Sequence, residues 1–173
     1  MGKVMHIYFD LDNTLIDEKG ETVRPGIFEL LDSFKDNGIK LSIWTASVRE
    51  RAEPILGELK LRPYFSDVVY RDDYDPDATW GSSRPKDIRF GDGDMLIDDS
   101  HNHIDFVKSI GRKGFRITPY ISFIDPNPDP TELEQIHTIV LPDVPFKIKR
   151  DPWIKRTFKT LFRKKKKLPL WIN

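Results

Sequence analysis

The sequence predicts an α/β protein: a Rossmann-like three-layer sandwich with a central, mostly parallel sheet, no large cap domain and a C-terminal extension. Three observations predict it. Short apolar runs, among them Val4–Phe9, Ile39–Trp44 and Met95–Ile97, read as buried parallel strands. Segments with helical spacing and helix start and stop residues lie between them. Polar patches sit at or near the runs, where ligands bind in open α/β sheets, just beyond the carboxyl ends of the strands.

The first strand, Val4–Phe9, leads into Asp17-Glu18-Lys19-Gly20, a turn-rich stretch that suits a small hairpin flap. A helix opens near Pro25, carries Phe28, Leu30, Leu31 and Phe34 as its apolar stripe, and ends at Gly38. Ile39–Trp44 returns as strand. Ser47-Val48-Arg49-Glu50 matches the Ser-x-x-Glu capping box, which predicts a helix to about Leu59 with a distortion at Pro54. Short strands are expected at Asp67–Tyr70 and Met95–Asp98, a helix over His103–Ile110 ending at Gly111, and a last core strand at Phe115–Ile117. This alternation favours a parallel sheet covered on both faces.

Beyond Thr118 the character changes, since seven of the 13 prolines fall between Pro119 and Pro152. The expected organisation is a core over 1–118, a proline-rich strap with one short helix near Thr131–Ile139 over 119–146, and a basic amphipathic tail over 147–173. In that tail Trp153, Ile154, Phe158, Leu161 and Phe162 share one helical face, opposite Lys155, Arg156, Lys159 and Arg163, ahead of Lys164–Lys167.

A chain of 173 residues fits one domain plus an extension. It has no cysteine, which excludes a disulfide framework, a thiolate nucleophile and a zinc-thiolate cluster. The N-terminus lacks an export-type apolar region, His6 stands where a myristoylation signal needs Ser or Thr, and nothing approaches the ~20 apolar residues of a membrane span. A soluble, cytoplasmic protein is expected. The formal charge is zero, yet residues 1–146 hold 17 Lys/Arg against 27 Asp/Glu, while residues 147–173 hold 11 Lys/Arg against Asp151 alone. Such asymmetry points to a polyanionic partner or to a tail folded back on an acidic body.

Asp10, Asp12, Asp98 and Asp99, with Lys86 and the hydroxyl of Thr45, make a donor set suited to Mg²⁺ and phosphate. A carboxylate can attack a phosphate monoester to give an aspartyl phosphate that water hydrolyses, provided a cation cancels the repulsion between the two anions. Asp10 is the candidate nucleophile. Asp12, two residues on in an extended segment, points to the same side as an acid/base, and its carbonyl can bind the metal. Thr45, with Ala46 beside it and helix-start amides behind, is placed to hydrogen-bond a phosphate oxygen, and Lys86 supplies a fixed positive charge. Asp99 is the better direct metal ligand of the second pair, with Asp98 orienting a metal-bound water or pairing with Lys86.

Phe9-Asp10-Leu11-Asp12-Asn13-Thr14-Leu15, Ile43-Trp44-Thr45-Ala46-Ser47, Pro85-Lys86-Asp87 and Leu96-Ile97-Asp98-Asp99-Ser100 resemble the four signature motifs of the haloacid dehalogenase superfamily, in the right order. Arg24-Pro25-Gly26, Trp44-Thr45-Ala46-Ser47 and Glu53-Pro54-Ile55-Leu56 are similar to the RNA polymerase C-terminal-domain phosphatases of the NLI-interacting-factor type. The resemblance covers about residues 4–118. It implies a phosphatase with Asp10 as nucleophile, Asp12 as acid/base, Thr45 and Lys86 on the phosphate, and Asp10, the Asp12 carbonyl and Asp99 around Mg²⁺. An Asp at position 12 looks like the phosphatases and mutases of the superfamily rather than its dehalogenases.

Asp10 and Thr45 are 35 residues apart and Thr45 and Lys86 are 41 apart, intervals largely consumed by core elements, so an independent cap fits in neither. An open site admits a phosphate on a macromolecule, a phosphoprotein or a nucleic-acid end. Other readings fit less well. An EF-hand loop fails because Leu15 stands where Gly is required, no Gly-x-x-x-x-Gly-Lys stretch exists, and a response-regulator receiver places its Lys last. Gly91-Asp92-Gly93-Asp94 precedes a strand and reads as a tight turn, His101 and His103 face different sides, Ser47 reads as an N-cap and Arg49 as an exposed charge. The tail keeps three readings: a helix packed on the body, a polyanion-binding arm, or a membrane-surface or nuclear-localisation segment. The competing class is a non-catalytic module of the same fold that docks to a polyanion through this tail.

Overall fold

A computed structural model describes residues 4–78 and 84–148. In chain order it contains β1 (His6–Phe9), α1 (Ile27–Asp36), β2 (Lys40–Trp44), α2 (Arg49–Glu58), β3 (Asp67–Val69), the one-turn α3 (Arg71–Tyr74), β4 (Met95–Asp98), α4 (His101–Ser109), β5 (Lys113–Arg116) and α5 (Thr131–Val140). Single 3₁₀ turns lie at Arg62–Tyr64 and Ile88–Gly91. The described strands form one parallel sheet in the order β3-β2-β1-β4-β5, with Phe9 level with both Ile43 and Ile97.

Residues alternate between the two sheet faces, and the two cores follow that period. Ile7, Phe9, Leu41, Ile43, Met95 and Ile97 pack with Ile27, Leu30, Leu31 and Phe34 of α1, with Ala52 and Leu56 of α2, and with Leu133, Ile136 and Val140 of α5. On the opposite face Tyr8, Trp44 and Leu96 meet Ile88 and the α4 residues Ile104 and Val107. Each such aliphatic or aromatic side chain contributes about 1.5–3 kcal/mol when fully buried.

Helices α1, α2 and α4 end in the same six-to-one and five-to-two bonded motif. At α1 the Gly38 amide donates to the Lys35 carbonyl and the Ile39 amide to that of Phe34, with Gly38 at φ +73°. In α2 the left-handed position is taken by Lys60, at φ +58°. This helix also departs from expectation at its start. It begins at Arg49, with Val48 in the N-cap position and no side-chain cap, because the Ser47 hydroxyl is drawn away to Asp12. Where the sequence anticipated a distortion at Pro54, α2 continues through it to Glu58.

After β5 the chain turns back across the sheet. The Tyr120 amide donates to the Asn13 carbonyl, and the Ser122 hydroxyl to Asp17. Helix α5 then lays His137 against Phe34 and Phe146, with His137 Nε2 2.8 Å from Ser33 Oγ. Ile148 closes over Gly26, whose added Cβ would lie 2.6 Å from Ile148 Cδ1. Of the basic tail expected over 147–173, everything after Ile148 lies outside the described residues. Among the described residues no helix is long and apolar enough to cross a membrane.

Candidate active site

Because β1 is central, with β2 on one side and β4 on the other, the strand order reverses between β1 and β4. The carboxyl ends of the strands diverge into a crevice at such a switch point. Asp10 follows β1 with its amide bonded to the Ile97 carbonyl at 2.9 Å, and Thr45 follows β2 with its amide bonded to the Val69 carbonyl at 2.9 Å. Asp98 ends β4 and Asp99 follows it. Three of the four patches are therefore held by the sheet itself, and Lys86 enters from the loop before the second 3₁₀ turn.

The Lys86 side chain is 1% exposed and joins the two acidic pairs, with Nζ 2.5 Å from Asp10 Oδ1 and 2.7 Å from Asp98 Oδ2. Asp98 Oδ1 accepts from the Ser100 amide at 2.8 Å, which orients that carboxylate toward the lysine. One oxygen from each of Asp10, Asp98 and Asp99 lies within 4.8 Å of the others. Burial pushes the Asp10 carboxyl up to about 8, with Asp98 and Asp99 adding to the shift and Lys86 opposing it. Asp99 is raised by burial and then by Asp98. Burial alone would lower the Lys86 amine, but Asp10 and Asp98 outweigh it and raise it above its ordinary value. Three acids around one amine leave an excess of negative charge that favours a further cation.

Thr45 is fully buried and its Oγ1 accepts from the Ser47 amide at 3.0 Å, which leaves the hydroxyl proton to donate elsewhere. Ala46 is exposed at the rim between them. Asp12 stands apart from the Asp10–Lys86–Asp98 cluster. Its Oδ1 is 2.6 Å from Arg51 Nη2, and its Oδ2 takes Arg51 Nη1 at 3.0 Å and the Ser47 hydroxyl at 2.7 Å. The structure therefore gathers Asp10, Lys86, Asp98 and Asp99 around one point, and links Asp12 to Thr45 through Ser47.

Arg51 and Arg24 were not singled out as site residues. Arg51 stands four residues after Ser47, a helical spacing that puts both on one side, and this was the available signal. Arg24 is 3% exposed; its guanidinium donates to the carbonyls of Thr14 at 2.8 Å, Asn13 at 3.1 Å and Thr118, and so sutures the loop after Asp12 to the segment after β5. Burial draws Arg24 down to about 10, against the pull of Glu132, Tyr120 and Asp99. Arg49 pairs with Asp73 and lies over the Tyr70 ring. His101 is exposed, whereas His103 is buried and held neutral, its value lowered to about 4 by burial and then by Lys86. The acidic cluster found among the described residues contains neither histidine. Gly91–Asp94 turns at the opposite end of the sheet, where Gly91 and Gly93 abut Tyr8 and the Asp94 amide meets the His6 carbonyl.

The fold is shared with solved hydrolases of the haloacid dehalogenase type. More narrowly, residues 5–143 match the model of the NLI interacting factor-like phosphatases, and the chain belongs to that family. A putative β-phosphoglucomutase from Thermotoga maritima shares the fold at 15% identity and a TM-score of 0.56, over 80% of this chain and 100% of that one. The putative haloacid dehalogenase-type hydrolase YfnB from Bacillus subtilis, solved bound to magnesium, does so at 14% identity and 0.54, over 81% and 100%. An uncharacterized 36.0 kDa protein of Orgyia pseudotsugata multicapsid polyhedrosis virus is 29% identical over 85 residues, 48% of this chain. The match spans only 27% of that viral protein's length.

Proposed function

We propose that this chain is a Mg²⁺-dependent phosphomonoester hydrolase that works through an aspartyl phosphate on Asp10. The observation that carries this reading is Lys86 Nζ bridging Asp10 and Asp98 while Asp10, Asp98 and Asp99 converge within 4.8 Å at the switch point. The donor set fits a small hard cation, because every candidate ligand atom is a carboxylate or carbonyl oxygen. Asp10 and Asp99, the Asp12 carbonyl, and Asp98 directly or from the outer shell would hold Mg²⁺, which when bound supplies charge neutralisation between nucleophile and phosphate. Asp10 attacks phosphorus, and Lys86 and the Thr45 hydroxyl, with the Ala46 backbone beside it, bind the equatorial oxygens on which charge resides. Asp12 protonates the departing oxygen and then takes a proton from the water that releases phosphate.

Hydrolysis of an aryl phosphate tests this directly. Activity should require Mg²⁺, vanish with EDTA and be lost in Asp10→Asn; undiminished turnover by that variant would refute the assignment. We infer a macromolecular substrate, a phosphoprotein or a nucleic-acid terminal phosphate, from the short intervals between motifs and the +10 charge of residues 147–173. On the same terms 1–118 is the catalytic core, 119–146 its strap and 147–173 the arm that reaches the polyanion. A chain without cysteine is compatible with the cytoplasmic setting that we also infer. Phosphopeptides compared with 3′- and 5′-phosphorylated oligonucleotides, with and without residues 147–173, separate the substrate classes; equal turnover after truncation would remove the tail from the account. The family match does not favour a purely non-catalytic docking module.

A further inference from the structure

Asp12 is held in a fork. Arg51 reaches both of its oxygens, Nη2 to Oδ1 at 2.6 Å and Nη1 to Oδ2 at 3.0 Å, and Ser47 adds a bond to Oδ2 at 2.7 Å. Arg51 Nη1 also lies 2.5 Å from Ser47 Oγ, so the three groups form a closed triangle. The side chains of Arg51 and Asp12 are 39% and 29% exposed, and pairs this open contribute little to stability. The ion pair therefore needs another reason to be there.

A carboxylate offers about four acceptor sites, two on each oxygen. Among the described residues, Oδ2 uses both of its sites, for Arg51 and Ser47, and Oδ1 uses one, for Arg51. One site remains, and it is on Oδ1. The flap supports the arrangement from behind: Gly20, at φ +76°, comes so close to α2 that an added Cβ would lie 2.8 Å from Ile55 Cδ1 and 3.6 Å from Arg51 Nη2.

We propose that Arg51 is a positioning residue for the second half of the reaction: by gripping Asp12 from two sides it presents Oδ1 to the water that hydrolyses the aspartyl phosphate. This rests on the Asp10–Asp12 chemistry proposed above. In that step a water O–H bond breaks and the proton goes to Asp12 Oδ1. The water oxygen bonds to phosphorus, and the bond from phosphorus to the Asp10 oxygen breaks, its electron pair returning to the carboxylate as inorganic phosphate leaves. Arg51 touches none of the reacting atoms; it sets where the accepting lone pair points.

The test is stopped-flow hydrolysis of p-nitrophenyl phosphate with Mg²⁺, a substrate whose leaving group departs readily without a proton donor. Arg51→Ala should release about one p-nitrophenolate per chain in a burst and then turn over roughly 10- to 100-fold more slowly than the parent, the scale of an error in aim of up to about 1 Å. Arg51→Lys should show the same burst, because an ammonium restores the charge and not the fork. Ser47→Ala should show a weaker version. Unchanged turnover in Arg51→Ala, a changed KM alone, slowing without a burst, or full recovery in Arg51→Lys would each overturn the positioning role while leaving Asp10 as nucleophile. A parent chain with no Mg²⁺-dependent activity would overturn both.

Discussion

Replacing Lys86 by Met keeps most of the length of the side chain and removes the one positive charge that, among the described residues, touches both Asp10 and Asp98. All three side chains are at most 8% exposed, so the two carboxylates would be left buried and facing each other. Removing one partner of a buried charge pair costs about 3–5 kcal/mol. For a chain of this size that corresponds to a fall in Tm of roughly 6–20 °C, at about 2–4 °C per kcal/mol. The loss should depend on pH in one sense only. Without the lysine the buried Asp10 carboxyl loses the partner that opposes its rise, so the unfolded chain releases that proton first and the variant loses stability as pH rises from about 4. The parent keeps the Lys86 contribution throughout this range, since a raised amine loses it only above its unfolded value. Because Asp10 is raised in the parent as well, the two proteins should lose stability in parallel up to about pH 8; above it the parent's Asp10 ionises beside Lys86 and its loss levels off, so the gap should widen from about pH 8 to about pH 9.5, and Mg²⁺ should narrow it. Thermal melts of both proteins in EDTA across that range are the assay. A variant within about 2 °C of the parent at pH 7, or a gap that closes as pH rises, would refute the reasoning.

Metal-free parent protein should itself lose stability between about pH 4 and pH 8, because Asp10 moves from 3.8 when unfolded to about 8 when folded, and melts with Mg²⁺ should flatten that slope. Arg24→Met should lower stability by about 2–4 kcal/mol, since it strands the carbonyls of Asn13, Thr14 and Thr118, and should slow turnover by loosening the loop after Asp12; denaturant melts and kcat check the two effects separately. Lys60→Gly should stabilise the protein by about 1 kcal/mol, by relieving a side chain held at φ +58°, with activity unchanged. Burial lowers the His137 imidazole, so α5 should loosen as pH falls below its unfolded value of about 6.5, seen as faster amide exchange over Thr131–Val140.

What could be read from the sequence and what could not divides along a physical line. Strands such as Met95–Asp98 are legible because a buried strand must be apolar along its length, and α1 because Leu30, Leu31 and Phe34 repeat at the helical period, although its fourth buried position is Ile27 and not the expected Phe28, which is only partly buried. The sheet edge that gathers Asp10, Thr45, Asp98 and Asp99 then follows from strand polarity alone, with no side-chain contact needed. Ser47 departs from its expected N-cap role because its hydroxyl donates to Asp12. The pattern Ser-x-x-Glu has a local explanation, a capped helix, and a non-local one, a hydroxyl requisitioned by a carboxylate 35 residues away, and local pattern contains no term for the second. The sequence marks Arg24 only as part of the Arg24-Pro25-Gly26 motif and gives Arg51 no role, on the same ground: an arginine acquires meaning from the carbonyls or carboxylate it meets across the fold. Apart from Lys86, which a loop supplies, the residues expected to meet phosphate are thus the ones that strands present directly. The residues that aim them, Ser47 and Arg51 at Asp12 and Ser100 at Asp98, become visible only once the chain has closed, which is why a change among them is expected to alter the balance between two chemical steps before it alters the fold.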